Sequence, residues 1–350
     1  RYPGWEPERF FFPLVVTEAA TITVAVAPDT SFAVVSAALA SAQNSLEIAS
    51  YTFENPMLGR VLSERAASGV RVRLLLEGGP VGGVQDAERW VCQQLEQAGG
   101  GKSHCWFMDN GQGLADAHAR YQNHHAKYAI IDGQRLLIGT ENFGPGGMPF
   151  DDKGDGTAGN RGVILLIEGA PSLVGRMQQL FEADLDLTHQ DIFTWTAGHA
   201  VYGSPPIGYR PITASGGTTY TLYFSTPFVV QGTFPFQLHT APESGLRRSD
   251  GLFALLAQAG PGDVVRVEQL YEHLTWGEEP NLRLQAYISA ALRGADVRLL
   301  LNQGTFGAGG VSLDNLSTVT YVNRLAAERG VTLAARLGDP TAWGIHNKMV

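Results

Sequence analysis

The chain has 350 residues, enough for about two domains, and its 44% hydrophobic and 17% charged residues are typical of a globular protein and exclude wholesale disorder. Its 42 glycines and 18 prolines predict many loops, and the lack of a three-residue glycine period excludes a collagen-like helix. The 25 basic and 34 acidic residues give a net charge of −9, which argues against a diffuse basic surface for duplex nucleic acid but permits a local cationic pocket. No apolar run is long enough to predict a membrane-spanning helix.

The first half of the chain alternates predicted helices and strands. Apolar residues at helical spacing over 32–42 predict a helix, capped by Asp29 or Ser31. The run SLEIASYTFE at 45–54 predicts a buried strand, and a second helix is expected over 56–69. This order is typical of βαβ units in a mainly parallel sheet flanked by helices.

The chain contains two cysteines, Cys92 and Cys105. They are either two buried thiols or one disulfide that joins a helix to a strand. A disulfide would indicate an oxidising compartment, so an extracytoplasmic or secreted location is favoured, although the sequence does not fix it. Two cysteines are too few for a structural zinc site unless histidines join them.

The most informative stretch is YQNHHAKYAIIDGQRLLIGTENF at 121–143. Two apolar runs around an Asp-Gly turn at 132–133 predict a β-hairpin. On its first strand His125 and Lys127 are two residues apart, so the alternation of a strand puts both side chains on one face. The second strand leads into a glycine-rich loop that carries Gly139, Thr140 and Asn142.

A matching pattern ends the chain. The last residues read WGIHNKMV, in which His346 and Lys348 repeat the His-x-Lys spacing 221 residues after the first copy. The segment AASGVRVRLLL at 66–76 is also similar to ALRGADVRLLL at 291–301. These similarities predict an internal repeat in which each copy presents His-x-Lys from one strand face.

Between the two copies, residues 186–238 are rich in Gly, Pro, Thr and Tyr. The run TTYTLYF at 218–224 alternates like an exposed strand. This region is either an inserted β-rich connection between the two copies or a plain linker that contains a hairpin.

The motif residues resemble the phospholipase D superfamily, whose signature is His-x-Lys-x4-Asp followed by Gly-Ser/Thr-x-Asn. The first copy matches this signature through His125, Lys127, Asp132, Gly139, Thr140 and Asn142. The second copy supplies only His346 and Lys348, because the sequence stops at Val350.

The resemblance implies an α/β fold of two similar α-β-α repeats packed pseudo-symmetrically, the second one truncated, with a β-rich insertion between them. The expected organisation is an N-terminal arm at 1–24, a first repeat at 25–185, the inserted connection at 186–238 and an incomplete second repeat at 239–350. We expect the natural polypeptide, or another chain, to supply the missing C-terminal portion of the second repeat.

The resemblance also implies a phosphodiesterase or phosphatidyl transferase that needs neither metal nor cofactor and acts on phospholipids, like phospholipase D or cardiolipin synthase. His125 is expected to be the nucleophile that forms a phosphohistidine, and His346 the general acid and base, while the reverse assignment stays open. Lys127, Lys348 and Asn142 are expected to bind the non-bridging phosphate oxygens.

Further residues are expected to orient these groups or to bind phosphate. Asp132 and Thr140 take such roles by their place in the signature. The family often carries an acidic residue two positions after an asparagine beyond the glycine-rich loop, and Gly162 occupies that place here. Glu54 and Glu272, interpreted as equivalent residues of the two copies at strand ends, are expected as substitutes.

Two alternatives to a phospholipid enzyme stay open. A nuclease of the same superfamily would need a basic, open cleft, which the acidic charge balance disfavours. A non-catalytic binding module that keeps the fold is favoured by the incomplete second motif. The expected partner is a phospholipid or another phosphodiester, with peripheral membrane contact, and nucleic acid is the alternative substrate.

Overall fold

The structure is a computed structural model that describes residues 4–111, 117–303 and 313–350. It divides the chain into two units. The first contains the N-terminal residues up to Glu6 together with 14–158 and 163–238, and the second contains 7–13, 159–162 and 239–350.

The first unit is built around a nine-stranded sheet. Its strands are β1 Leu14–Ala27, β2 Ser45–Ser50, β3 Arg71–Glu77, β4 His104–Met108, β5 Lys127–Ile131, β6 Arg135–Gly139, β7 Gly162–Glu168, β8 Ile192–Thr194 and β9 Phe228–Leu238. Its helices are α1 Ser31–Ala40, α2 Pro56–Ala67, α3 Asp86–Ala98 and α4 Pro171–Asp184. The strand order is β8-β4-β3-β2-β5-β6-β7-β1-β9.

The expectation of a mainly parallel sheet is wrong for this unit. The β2–β3 and β3–β4 pairs are parallel, as βαβ units require, but β8–β4, β2–β5, β5–β6, β6–β7 and β1–β9 are antiparallel. The predicted hairpin explains part of the difference, because a turn can join only antiparallel neighbours. The fold class is therefore mixed α/β.

Helices cover both faces of this sheet. On one face, α1, α2 and α3 bury Val35, Leu58 and Val91 against the sheet's apolar side chains. On the other face, α4 buries Leu173 and Phe181 in a second apolar cluster. The sheet is thus desolvated on both sides, which explains why strands such as β2 and β5 consist almost wholly of buried residues.

Local sequence signals place the helix α2 correctly. Asn55 accepts hydrogen bonds from the backbone of Met57 and Leu58 at the helix start, and Gly69 adopts a left-handed conformation with φ +97° just after the helix end. The predicted cap of α1 is wrong. The N-cap is Thr30, and the Asp29 carboxylate instead accepts hydrogen bonds from residues 220, 223 and 224.

The region between the two His-x-Lys motifs contributes to the same sheet. The predicted strand at 218–224 is wrong, since only Tyr220 there forms an isolated bridge, with Thr157. The actual strand is β9, which pairs along its length with β1. Pairing of this kind depends on a partner some two hundred residues away, which local alternation does not reveal. Residues 14–24 of the predicted arm at 1–24 belong to strand β1.

The second unit contains a four-stranded sheet and a two-stranded one. Its strands are β10 Val264–Gln269, β11 Thr275–Trp276, β12 Glu279–Pro280, β13 Asp296–Asn302, β14 Leu333–Gly338 and β15 Lys348–Met349. Its helices are α5 Gly251–Gln258, α6 Leu282–Leu292 and α7 Leu313–Arg329. The larger sheet has the order β14-β13-β10-β15, which is the order of β4-β3-β2-β5 in the first unit. A pseudo-symmetric packing of the two units stays a prediction.

Cys92 in α3 and Cys105 in β4 form a disulfide in the structure, and both residues are fully buried. The bond therefore ties the helix directly to the neighbouring strand of the sheet. Within the ranges that the structure describes, no helix combines the length and apolar character that a bilayer crossing would need.

Candidate active site

The first motif places its histidine and lysine in contact. His125 lies just before β5 rather than on it and is exposed, while Lys127, the first residue of the strand, is buried. The Lys127 Nζ lies 3.3 Å from the His125 Nδ1 and donates a hydrogen bond to the His125 carbonyl oxygen at 3.1 Å. The motif is therefore a local unit in which the ammonium group lies against the imidazole.

The Tyr51 ring lies beside both His125 and Lys127, and sequence reasoning did not identify this residue. Its ring lies 4.4 Å from the His125 ring between centroids, and the Lys127 Nζ lies 5.4 Å from the Tyr51 ring centroid. The Tyr51 hydroxyl accepts a hydrogen bond from the Val81 backbone at 2.7 Å, and burial raises the pKa of Tyr51 above its ordinary value. Tyr51 is thus a fixed, neutral aromatic surface beside both motif side chains.

The backbone on both sides of His125 is held by hydrogen bonds. On one side, the His124 N–H donates to the Glu77 carboxylate at the end of β3. On the other side, the Tyr51 N–H donates to the Ala126 carbonyl oxygen at 2.9 Å. These two bonds fix where the His125 side chain leaves the backbone.

The second motif has the same internal geometry. The Lys348 Nζ lies 3.2 Å from the His346 Nδ1 and donates to the His346 carbonyl oxygen at 2.6 Å. Here the Ile345 N–H donates to the Asn302 Oδ1 at 2.8 Å, and the Leu270 N–H donates to the Asn347 carbonyl oxygen at 2.9 Å. The two bonds that flank His125 therefore have direct counterparts around His346.

Two further contacts hold the second motif. Arg161 brackets the histidine, because its N–H donates to the Gly344 carbonyl oxygen and its own carbonyl oxygen accepts from the His346 N–H, both at 2.8 Å. The Asn347 side-chain amide donates to the Glu268 Oε2 at 2.9 Å. Burial raises the pKa of Glu268, and the bond from Asn347 opposes that shift.

The glycine-rich loop after β6 is anchored at both ends. The Thr140 hydroxyl oxygen accepts a hydrogen bond from the Val163 N–H at 3.0 Å, and the Phe143 carbonyl oxygen accepts from the N–H groups of Glu54 and Asn55 at 3.0 and 2.9 Å. The Asn142 Oδ1 is buried and has no hydrogen-bond partner among the described residues. The Thr140 hydroxyl thus supports the loop, whereas the polar end of Asn142 is not saturated by it.

Asp132 lies at the other end of β5 from the motif. It comes five positions after Lys127 along an extended strand, roughly 16 Å at the usual rise. Its carboxylate accepts hydrogen bonds from the N–H groups of Gln43, Asn44 and Ser45 and pairs with Arg135. Burial alone would raise the pKa of Asp132, but these bonds lower it below its ordinary value. The structure therefore gives Asp132 a role in the chain turn before β2.

Glu54 and Glu272 are not equivalent by register. Ser50 pairs with Lys127 and Gln269 with Lys348, so Glu54 comes four residues after its strand's pairing point and Glu272 only three. Glu54 is half-buried, and burial raises its pKa.

Glu272 is fully buried and its carboxylate is engaged within its own unit. The Oε1 atom accepts hydrogen bonds from the side chains of Asn281 and Arg283. Asn281 is the N-cap of α6. The Glu272 N–H donates to the Asn315 Oδ1 at 3.0 Å. These contacts tie Glu272 to the starts of two helices.

Buried carboxyl groups lie behind the first motif, and sequence reasoning did not single them out. Burial raises the pKa of Glu77 to about 7, with a further contribution from Asp109, and hydrogen bonds from Gly79 and His124 oppose it. Burial, followed by the charge of Glu54, raises the pKa of Glu88 to about 8. Two carboxyl groups near the motif therefore titrate close to neutral pH.

The pKa of His124 is lowered, whereas those of Glu77 and Glu88 are raised. It is buried, and burial lowers its pKa to about 3, with contributions from Lys127 and Arg120. It is therefore a neutral packing residue, as its position beside His125 on the opposite face suggests.

Within the described ranges, no group of three or more acidic, histidine or cysteine side chains is arranged to hold a metal ion. A concavity of about 880 Å³ in the second unit is lined by Arg266, Arg298 and Arg336 among others, and neither motif histidine lines it.

The stretch that contains the first motif is similar to a known protein family. Residues 35–185 match the model of the family described as "Cardiolipin synthase, PLD-like domain". A search of curated proteins gives no match.

Solved structures of low sequence identity are also similar. Nuc, a phospholipase D family member from Salmonella typhimurium, is 16% identical with a TM-score of 0.40 over 50% of this chain and 97% of that one. NucT from Helicobacter pylori is 17% identical with a TM-score of 0.38 over 47% and 96%. Phosphatidylserine synthase from Haemophilus influenzae Rd KW20 is 12% identical with a TM-score of 0.35 over 50% and 40%.

The contacts of Asp132 predict a stability defect for Asp132→Ala. Its loss leaves three backbone N–H groups without their acceptor, so we expect the free energy of unfolding in urea to fall by about 2 kcal/mol. Hydrogen exchange should become faster at residues 43–45. Asp132→Asn is the matched control, because its remaining carbonyl oxygen still accepts these bonds. Unchanged stability in Asp132→Ala would contradict this role.

The raised pKa of Glu88 predicts a pH-dependent stability. The carboxyl is protonated in the folded chain up to about pH 8, whereas its ordinary pKa is 4.5. Folding therefore takes up a proton, and this contribution is present at low pH and is lost as the pH rises through 8. Between pH 5.5 and 8, wild type should lose roughly 2 to 3 kcal/mol relative to Glu88→Gln in urea unfolding. Glu64→Gln, at an exposed position of α2, should follow wild type, and equal pH slopes for all three proteins would refute the assignment.

Proposed function

We propose, from the match of residues 35–185 to the family model described above, that the chain is a phosphodiesterase or phosphatidyl transferase that acts on phospholipids through a phosphohistidine. The observation that carries the proposal is the common geometry of the two motifs. In each one the lysine Nζ lies within about 3.3 Å of the histidine Nδ1 and hydrogen-bonds to the carbonyl oxygen of the same histidine. Two such motifs would supply the two imidazoles that a double displacement at phosphorus requires.

In the first step, the His125 imidazole attacks phosphorus. The new N–P bond forms as the bond from phosphorus to the leaving alcohol oxygen breaks, and His346 transfers its proton to that oxygen. In the second step, the neutral His346 takes a proton from water or from an acceptor alcohol, whose oxygen attacks phosphorus. The N–P bond then breaks and His125 is restored, so hydrolysis and transfer differ only in the acceptor.

The remaining motif residues stabilise charge in this scheme. Lys127 and Lys348 would bind the non-bridging oxygens of the phosphodiester, where negative charge accumulates in the transition state. The Asn142 side chain, on the loop anchored by Thr140, would add a neutral hydrogen bond. These cations lie in a chain of net charge −9, which favours a pocket that recognises one phosphodiester over a surface that follows a polyanion.

The test measures turnover of phosphatidylglycerol and phosphatidylcholine vesicles, with supercoiled plasmid as the competing substrate, in the presence of EDTA. We expect lipid turnover in EDTA, and we expect His125→Ala and His346→Ala each to lower kcat by at least about a thousandfold. His118→Ala is the matched control, because His118 is an exposed histidine outside both motifs. Circular dichroism and urea unfolding establish that each variant is folded.

Trapping identifies the nucleophile. Brief incubation of His346→Ala with a phosphorus-labelled lipid should leave an acid-labile, alkali-stable adduct on the peptide that contains His125. An adduct on the His346 peptide of His125→Ala would reverse the two roles. Full turnover by a folded His125→Ala would exclude the proposed chemistry. Plasmid cleavage without lipid turnover would indicate a nuclease instead. No turnover of either substrate would indicate a binding module.

A further inference from the structure

A matched pair of hydrogen bonds precedes the two motif histidines. The N–H of His124 donates to the carboxylate of Glu77, and the N–H of Ile345 donates to the side-chain oxygen of Asn302. Each donor is the residue immediately before the motif histidine. Each acceptor is the last residue of the parallel strand next to the one that pairs with the motif, β3 in the first unit and β13 in the second.

The two acceptors are buried, and so are the two donor residues. A buried N–H that loses its acceptor costs the full desolvation of that group, so neither bond is replaced by water without a penalty. The position of the histidine side chain thus depends on an acceptor that lies more than forty residues away in sequence.

We infer that Glu77 and Asn302 are the positioning residues of the two catalytic histidines, and that Glu77 makes the first motif sensitive to pH while Asn302 leaves the second insensitive. This inference rests on the proposed function for its catalytic consequence, but its structural part can be tested without turnover.

The two acceptors differ in what protonation does to them. The ionised Glu77 accepts from two backbone groups, the N–H of His124 and the N–H of Gly79. A protonated carboxyl has one carbonyl oxygen and one hydroxyl, so one of the two N–H groups then faces a weaker acceptor. The amide of Asn302 has the same acceptor at every pH. The motif around His125 is therefore best held when Glu77 is ionised.

The groups around Glu77 favour its protonated form near neutral pH. Asp109, which follows β4 and accepts a hydrogen bond from the Tyr202 hydroxyl, adds like charge. Glu88 on α3 and Tyr51 after β2 interact with Glu77 electrostatically as well. Burial, followed by the charge of Asp109, raises the pKa of Glu77 to about 7, inside the working range of an imidazole.

The cationic and neutral groups on the same side are His124, Lys127 and Arg120. Burial and the two cations keep His124 neutral, with its pKa lowered to about 3. His124 therefore does not titrate in the range in which Glu77 does, and a transition near pH 7 at its amide is assigned to the carboxyl group, rather than to the adjacent His125 imidazole, when Glu77→Gln abolishes it.

The decisive measurement follows the His124 amide by NMR. The pair Asn-His occurs once in the chain, at 123–124, and Gly-Ile once, at 344–345. Labelling with carbonyl-¹³C asparagine and ¹⁵N histidine therefore selects the His124 amide, and ¹³C glycine with ¹⁵N isoleucine selects Ile345. We expect the His124 amide to shift with an inflection near pH 7 that Glu77→Gln abolishes, while the Ile345 amide stays constant and gains an inflection in Asn302→Asp.

Steady-state kinetics show whether the hydrogen bond from the His124 N–H to Glu77 affects turnover. At pH 8, Glu77→Gln should lower kcat about tenfold, the effect of weakening one buried hydrogen bond in the transition state, with KM changed less than twofold. It should also lose the pH dependence near 7 that wild type and the exposed-site control Glu64→Gln retain. A purely structural defect would lower kcat equally at all pH values.

The outcomes separate the two claims. Turnover that survives His125→Ala would defeat the proposed function, while the amide titration still decides the role of Glu77. A His124 amide without an inflection between pH 5.5 and 8.5 in wild type would overturn the inference even if Glu77→Gln failed to fold. An unchanged pH profile in a folded, active Glu77→Gln would overturn it too.

Discussion

The geometry of both motifs depends on a hydrogen-bond acceptor for one buried peptide N–H, that of the residue just before each motif histidine. The residues just before a strand have backbone N–H groups that no neighbouring strand accepts. When such an N–H is buried without an acceptor, its desolvation destabilises the fold. In the first unit the acceptor is Glu77 and in the second it is Asn302. Because each acceptor ends a parallel strand, the βαβ unit that shapes the sheet also fixes the histidine.

Strand register is the second constraint on the motifs. Lys127 pairs with Ser50 in β2, and Lys348 pairs with Gln269 in β10, both antiparallel. A slip of one residue would turn the histidine and the lysine of each motif together to the other face of the sheet. The N–H of Tyr51 and of Leu270, one residue beyond each pairing point, locks this register by bonding to the carbonyl oxygen between histidine and lysine.

How much the sequence predicts depends on the range of the interaction. The contact of His125 with Lys127 follows from a spacing of two and is visible in sequence, as are the start of α2 and its glycine end. Tyr51 and Glu77 act through tertiary contacts, and nothing in their neighbours marks them. Asp132 belongs to the sequence signature but lies roughly 16 Å from Lys127 along a strand, so a place in the signature does not by itself indicate contact with the histidine. The strand β9 was missed for the same reason as Glu77, since its partner β1 lies at the other end of the unit.

The two units differ in the side chains that accept hydrogen bonds from the backbone. Where the first unit has Glu77 and Glu88 as acceptors of backbone N–H groups, the second has the amides of Asn302 and Asn315. Burying carboxyl groups is more expensive than burying amides, so their retention calls for a compensating use. In the proposed mechanism the His125 imidazole becomes positively charged when it bonds to phosphorus. The ionised Glu77 carboxylate, which accepts a hydrogen bond from the N–H of the neighbouring His124, would stabilise that charge. In the proposed mechanism His346 both gives and takes a proton and gains less from a fixed negative charge, and the N–H that precedes it donates to the neutral amide of Asn302.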